Sequence, residues 1–177
     1  MNLPNKLTIA RILMIPLCLF CWARGWPIAA AIVFALAAVT DFFDGYIARK
    51  YNLVTVFGKF ADPVADKILV LTAMVYLCAD GRLPAWAVSI VAARELMVDG
   101  LRLVAVGKGN VIAAGWAGKI KTNVQYFCVL AGMLLPQGHW ATLALAVLMC
   151  ALTVYSGGQY LWGYRDVFKQ DAKQETK

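Results

Sequence analysis

The chain has 177 residues, of which 62% are hydrophobic and only 15% charged, with a mean hydropathy of +0.67. That balance excludes a disordered chain and an ordinary water-soluble surface, and it points to a membrane protein. A formal net charge of +7 could mean a nucleic-acid partner, but the placement of the basic residues gives it another cause.

An α-helix needs about 20 largely apolar residues to cross the hydrocarbon core. Six apolar runs recur along the chain, at approximately Leu7 to Ala23, Pro27 to Ile47, Val64 to Ala79, Leu83 to Val106, Ile120 to Leu135 and Trp140 to Tyr164. They predict an all-α, polytopic membrane protein with six transmembrane helices. The first run has the length of a signal peptide, but five more follow it, so it reads as a retained helix. With the N-terminus inside, only Arg24 and Arg82 face out, and the other fifteen of the seventeen Lys and Arg lie at or near the cytoplasmic face, as the positive-inside rule requires. The turn Pro136 to His139 carries no Lys or Arg. Six spans place both termini in the cytoplasm, and the orientation accounts for the basic excess without nucleic acid.

Residues 1–168 read as one membrane domain, and 169–177, "KQDAKQETK", as a polar tail expected to fray, its lysines near anionic headgroups. No repeat, low-complexity stretch or long linker divides the chain. Cys18, Cys21, Cys78, Cys128 and Cys150 all fall inside apolar runs without a paired metal spacing, and read as small buried apolar residues. His139, in an outside loop with no companion ligand, reads as a solvated loop residue.

The passage "DFFDGYIARKYNLVTVFGKFADPVADK", Asp41 to Lys67, holds four of the ten acidic residues. Asp41 and Asp44 lie near the cytoplasmic end of the second run, Asp62 and Asp66 at the cytoplasmic start of the third. Spacings of three and four put each pair on one helix face, and a short connection makes the two helices antiparallel neighbours whose faces can meet. Pro63 is expected in a first helical turn, with the helix starting at or just before Asp62. Four converging carboxylates repel one another, so as a bare structural device they make little sense. One resolution is pairing with Arg49, Lys50, Lys59 and Lys67 in a solvated network. The other is a divalent cation, and oxygen-only ligands select hard ions such as magnesium or manganese. Gly45 and Ala48, and Gly58 four residues before Asp62, allow a ligand close to the helix backbone, although small residues also serve helix packing.

In the fourth run, Arg94, Glu95, Asp99 and Arg102 fall where unpaired charge is expensive. Asp99 and Arg102 are spaced to pair within the helix, and Glu95 and Asp99 to share a cation. Arg94, with Lys119 and Lys121 at the start of the fifth run, reads as an anion pocket that invites a phosphate. The positive-inside rule is the competing reading for the two lysines.

Asp41, Asp44, Gly45, Ala48, Arg49, Gly58, Asp62 and Asp66, with eight residues between Arg49 and Gly58, reproduce the signature of the CDP-alcohol phosphotransferases. "NLPNKLTIAR", "ARELMVDGLR" and "GKIKT" extend the resemblance over nearly the whole chain, toward the branch of bacterial phosphatidylglycerophosphate synthases. The resemblance implies a membrane enzyme of six helices, usually a homodimer, in the bacterial cytoplasmic membrane. It would move a phosphatidyl group from CDP-diacylglycerol to an alcohol and release CMP, using two divalent cations. By similarity, Asp41, Asp44 and Asp62 hold one metal, while Asp41, Asp62 and Asp66 hold the second, with Asp66 also the general base. Gly45, Ala48, Arg49, Thr55 and Gly58 match CDP-lipid positions, and Pro4 to Thr8, with Asn5 and Thr8, resembles the segment that closes over that lipid. Arg94, Lys119 and Lys121 would take the phosphate of glycerol 3-phosphate, which carries about two negative charges near neutral pH. Other acceptors known in the family, an inositol phosphate, phosphatidylglycerol or serine, remain alternatives here. A divalent-cation transporter is the reading from another class, but a conduit needs acidic groups at several depths and these four gather at one face.

Overall fold

In a computed structural model, the described residues are 3–50, 56–107 and 116–174, with side chains described for 8–40, 64–105, 116 and 118–163. They form six helices: α1 Leu3–Ala23, α2 Pro27–Lys50, α3 Val56–Ala79, α4 Ala85–Gly107, α5 Trp116–Leu134 and α6 Trp140–Gln174. No strand occurs among the described residues.

Three tight turns reverse the chain at one end of the bundle, and each contains a glycine at positive φ, Gly25, Gly81 and Gly138. Gly25 (φ 74°) donates its N–H to the Trp22 carbonyl at 2.9 Å while Trp26 N–H reaches Cys21 O at 3.0 Å. Gly81 (φ 68°) repeats the pattern, with Gly81 N to Cys78 O at 2.9 Å and Arg82 N to Leu77 O at 2.8 Å. This left-handed helix stop satisfies carbonyls that would otherwise be orphaned, and a side chain with a Cβ strains it. The third turn ends on His139, whose Nδ1 accepts the N–H of Ala141 at 3.2 Å and so caps α6. His139 is half-buried and stacks on Trp140 (5.8 Å, 27°), so its expected role as a merely solvated residue is corrected to a cap.

Small residues decide which helices approach closely. α1 packs along α2 and also against α3, α5 touches α2, α3 and α6, and α4 lies against α3 and α6. The main core is built from Phe34, Met74, Leu77, Val91, Val129 and Met149, interleaved with Ala30, Ala31, Ala37, Ala73 and Ala87. Cys18, Cys21, Cys128 and Cys150 are buried as free thiols, and Cys78 is partly covered. A Cβ at Gly157 on α6 would stand 3.3 Å from Cγ of Arg94, so that glycine leaves α4 room to carry a buried arginine.

The outward faces are apolar as well. Leu13, Ile28, Leu103, Phe127 and Val154 are each more than 60% exposed, a surface that water would penalise and lipid tails would solvate. Trp140–Gly163 is a helical stretch of 24 residues with mean hydropathy 1.7, long and apolar enough to cross a membrane, and Thr8–Ala23 and Pro27–Thr40 are shorter apolar stretches. This is the pattern of a helical membrane protein.

Two expectations about element bounds are corrected. α3 begins at Val56, so Pro63 sits well inside the helix and not in its first turn. One missing N–H removes a single ladder bond, which flanking helical turns tolerate. The tail also stays helical to Gln174, because "RDVFKQDAKQ" is rich in helix-favouring Lys, Gln, Ala and Arg and continues a helix already nucleated.

Arg82 ties the three turns together. Its Nη1 donates to Leu135 O at 2.7 Å and Gly132 O at 3.2 Å, at the carbonyl end of α5, and its guanidinium lies 5.1 Å from the Trp22 ring centroid. A cation is favoured at a helix C-terminus, which gives this arginine a structural task. Replacing it with leucine removes two charge-assisted bonds, worth about 2 kcal/mol. Arg82→Leu should therefore lower the melting temperature of detergent-solubilised protein by several degrees while the activity measured at low temperature is retained.

Candidate active site

The charged residues of α3, α4 and α5 converge in the half of the bundle away from the three tight turns. Glu95 on α4 is 5% exposed. A buried carboxylate needs partners, and it has three cations: Lys121 of α5 donates to Oε1, Arg94 Nη1 stands at 3.4 Å and Lys67 of α3 at 3.7 Å. Lys67 also pairs with Asp99, one turn along α4 from Glu95. The shared cation expected between Glu95 and Asp99 is therefore a lysine from the neighbouring helix.

The expected pairing of Asp99 with Arg102 inside α4 gives way to tertiary partners. Arg102 Nη2 donates to the Tyr160 hydroxyl of α6 at 2.8 Å. Arg94 and Arg102 both lie against the Tyr160 ring, 5.4 and 5.3 Å from its centroid, and Arg94 Nη2 donates to Ser156 Oγ at 3.0 Å. Guanidinium planes stack on aromatic faces where an ammonium would not fit as well. The Nε atoms of Arg94 and Arg102 are buried without a hydrogen-bond partner, so the two side chains keep donor capacity beside the open space they line.

That space is a cavity of about 200 Å³ between α3, α4, α5 and α6. Five cations line it, Lys67, Arg94, Arg102, Lys119 and Lys121, against two carboxylates, Asp66 and Glu95. Positive charge in excess, in a concave low-dielectric site, raises the local concentration of small anions. Lys121 is 3% exposed and Arg94 9%, while Lys119 is exposed with its Nζ 5.0 Å from the centroid of the Trp116 ring. The wall thus offers buried, oriented donors and one exposed cation at its rim.

Asp66 is half-buried at this cavity and accepts a hydrogen bond from the Tyr126 hydroxyl of α5. The structure therefore brings Asp66, Arg94, Lys119 and Lys121 to one cavity. Thr8 is fully buried on α1. The side chains of Asp41, Asp44, Asp62, Arg49 and Asn5 lie outside the described residues, as does Thr55 entirely. The backbone of α2 runs through Asp41, Asp44, Gly45 and Ala48, and that of α3 through Gly58, Asp62 and Asp66, so each aspartate pair keeps its one-turn spacing. Among the described residues no three His, Cys, Asp or Glu side chains gather as metal ligands. Tyr160 and Gln125, which line the cavity, and Tyr126, which donates to Asp66 at its wall, were not marked by the sequence. An aromatic or amide in an apolar helix reads as packing, and only tertiary structure reveals what it touches.

Comparison with known proteins extends this picture over most of the chain. The family model described as CDP-alcohol phosphatidyltransferase matches residues 1–155. A protein of Bacillus subtilis (strain 168) named CDP-diacylglycerol–glycerol-3-phosphate 3-phosphatidyltransferase is 46% identical over 180 residues, covering 90% of this chain and 93% of its own. Proteins of the same name from Escherichia coli (strain K12) and Salmonella choleraesuis (strain SC-B67) are 41% and 39% identical with the same coverage. The chain belongs to the CDP-alcohol phosphatidyltransferase family.

Proposed function

We propose that this protein is the membrane enzyme that transfers the phosphatidyl group of CDP-diacylglycerol to sn-glycerol 3-phosphate, giving phosphatidylglycerophosphate and CMP. The observation that carries the acceptor is the cationic cavity with Asp66 at its wall. Serine or a lipid glycerol would not need five cations there, whereas a phosphate dianion matches them. The proteins named for this reaction that share 39–46% of its residues support the same choice over an inositol phosphate.

The chemistry asks for a nucleophile, a place for its proton and a stabilised leaving group. The acceptor's primary hydroxyl is a weak nucleophile at neutral pH, so Asp66 takes its proton as the oxygen attacks the phosphorus bearing the diacylglycerol. The bond from that phosphorus to the CMP oxygen breaks, and CMP leaves with the electron pair. Arg94, Lys119 and Lys121 hold the acceptor's own phosphate, which fixes the hydroxyl against Asp66 and makes the attack effectively intramolecular. The donor set Asp41, Asp44, Asp62 and Asp66 fits magnesium or manganese, being oxygen-only and paired at one-turn spacing on two continuous helices. Asp41, Asp44 and Asp62 would hold one ion and Asp41, Asp62 and Asp66 a second. Bound there, the ions would neutralise charge developing on the departing CMP.

The six helices are read as six spans with both termini cytoplasmic, in a bacterial cytoplasmic membrane, with residues 1–168 as the catalytic domain and 169–177 apart from it. The apolar outer faces support lipid contact, and a homodimer would use part of the same surface. Asn5, Thr8, Gly45, Ala48, Arg49, Thr55 and Gly58 are assigned to the CDP-lipid.

Two measurements test these roles. Asp66→Asn should bind CDP-diacylglycerol with affinity close to the parent and lose transfer by at least about 100-fold, the scale of a lost general base. Turnover near the parental rate would move the base elsewhere. Lys119→Ala should raise KM for glycerol 3-phosphate about tenfold, one charge-assisted contact, with KM for CDP-diacylglycerol and the melting temperature unchanged. Lys121→Ala should raise the same KM and also lower the melting temperature, because it strips the buried Glu95 of a partner.

A further inference from the structure

The donor set around Asp66 includes a group that neither the motif nor the cationic wall accounts for. Tyr126 lies on α5, half-buried, with its ring 5.7 Å from that of Phe34 on α2 and tilted by 59°. Phe34 is fully buried in the core. An aromatic pair in this tilted arrangement is attractive, so the phenol ring is fixed by its packing, and with it the position of the hydroxyl. That hydroxyl donates to Oδ1 of Asp66 on α3. Three helices thus meet at one contact: α2 holds the ring, α5 carries it, and α3 presents the carboxylate.

A carboxylate turns readily about its last side-chain bond, because that torsion has broad, shallow wells. Proton transfer from a bound hydroxyl does not tolerate such freedom, since it needs the accepting oxygen within hydrogen-bond distance and in line. A neutral donor fixed on one oxygen helps set the plane of the carboxylate without adding charge, beside any metal ion that the same carboxylate would hold. A lysine in the same place would compete with the acceptor's proton and draw the phosphate from its own site. Lys67 pairs with Glu95 and Asp99, and Lys121 with Glu95.

We propose that Tyr126 is a positioning residue for the transfer reaction, holding the Asp66 carboxylate at the rotation that accepts the acceptor's proton. Tyr126 acts through Asp66. The inference rests on the reading of Asp66 as the base given under Proposed function.

Tyr126→Phe tests it, because it removes the hydroxyl and keeps the ring on Phe34. The expected result is a fall of about tenfold in kcat, with KM for both substrates within twofold of the parent, an unchanged dissociation constant for CDP-diacylglycerol measured without acceptor, and an unchanged melting temperature. A misdirected base slows the chemical step at equal binding, whereas a merely structural tyrosine would alter binding and stability together. A kcat within twofold of the parent overturns the proposal. So does a loss of kcat matched by a lower melting temperature or a raised KM. The comparison is made on whichever alcohol the parent enzyme uses, so a wrong acceptor assignment shows in the parent and a wrong tyrosine assignment only in the variant.

Discussion

Glu95 binds three helices into one site, because a buried carboxylate in an apolar bundle cannot be left without cations and those available come from different elements. Lys121 arrives from α5, Lys67 from α3 and Arg94 from α4 itself. Removing one partner of such a cluster is far more damaging than its net contribution suggests, since it strands a charge in a low-dielectric interior. The same arithmetic serves binding. One carboxylate gathers three cations at close quarters without their mutual repulsion prising the helices apart, and the cavity wall keeps an excess of positive charge. On the proposed reading, a dianionic substrate would offset most of that excess.

The opposite end of the bundle has the complementary task of holding still. Its turns are short and stopped by glycines at positive φ, its carbonyls are capped by Arg82, and its helices are locked by alanine and cysteine side chains that permit close approach. A rigid closed end and a charged open end suit an enzyme working at a membrane surface. Acyl chains can remain in lipid along the apolar faces while the nucleotide and the polyol phosphate approach from water. Tyr126 lies where the two regions meet, with its ring packed against the core and its hydroxyl on the Asp66 carboxylate.

The helical plan was legible because apolar runs of spanning length are a strong signal, and the eight-position signature from Asp41 to Asp66 points to the family by sequence alone. What escaped the sequence has common physical causes. Hydropathy marks the apolar part of a helix and not its ends, so α3 and α6 extend beyond their apolar runs, α3 enclosing Pro63 and α6 running into the polar tail as far as Gln174. Spacing within one helix suggested that Arg102 would meet Asp99, yet Lys67 and Tyr160 from other helices are better placed. Local periodicity knows only its own element, and ion pairs in a bundle are decided by what faces them. Arg94, Lys119 and Lys121 were legible as a group through their surplus of charge, and they line one cavity, whereas Tyr126 and Gln125 carry none and left no such trace.

The central claim is the identity of the acceptor, and product analysis tests it most directly. Purified protein in detergent micelles would be given CDP-diacylglycerol and an equimolar mixture of glycerol 3-phosphate, inositol phosphate, serine and phosphatidylglycerol, with magnesium present, and the lipids read by mass spectrometry. The account predicts phosphatidylglycerophosphate as the dominant new lipid, formed in step with CMP. A dominant product carrying any of the other alcohols, or CMP released without a new phospholipid, would contradict it.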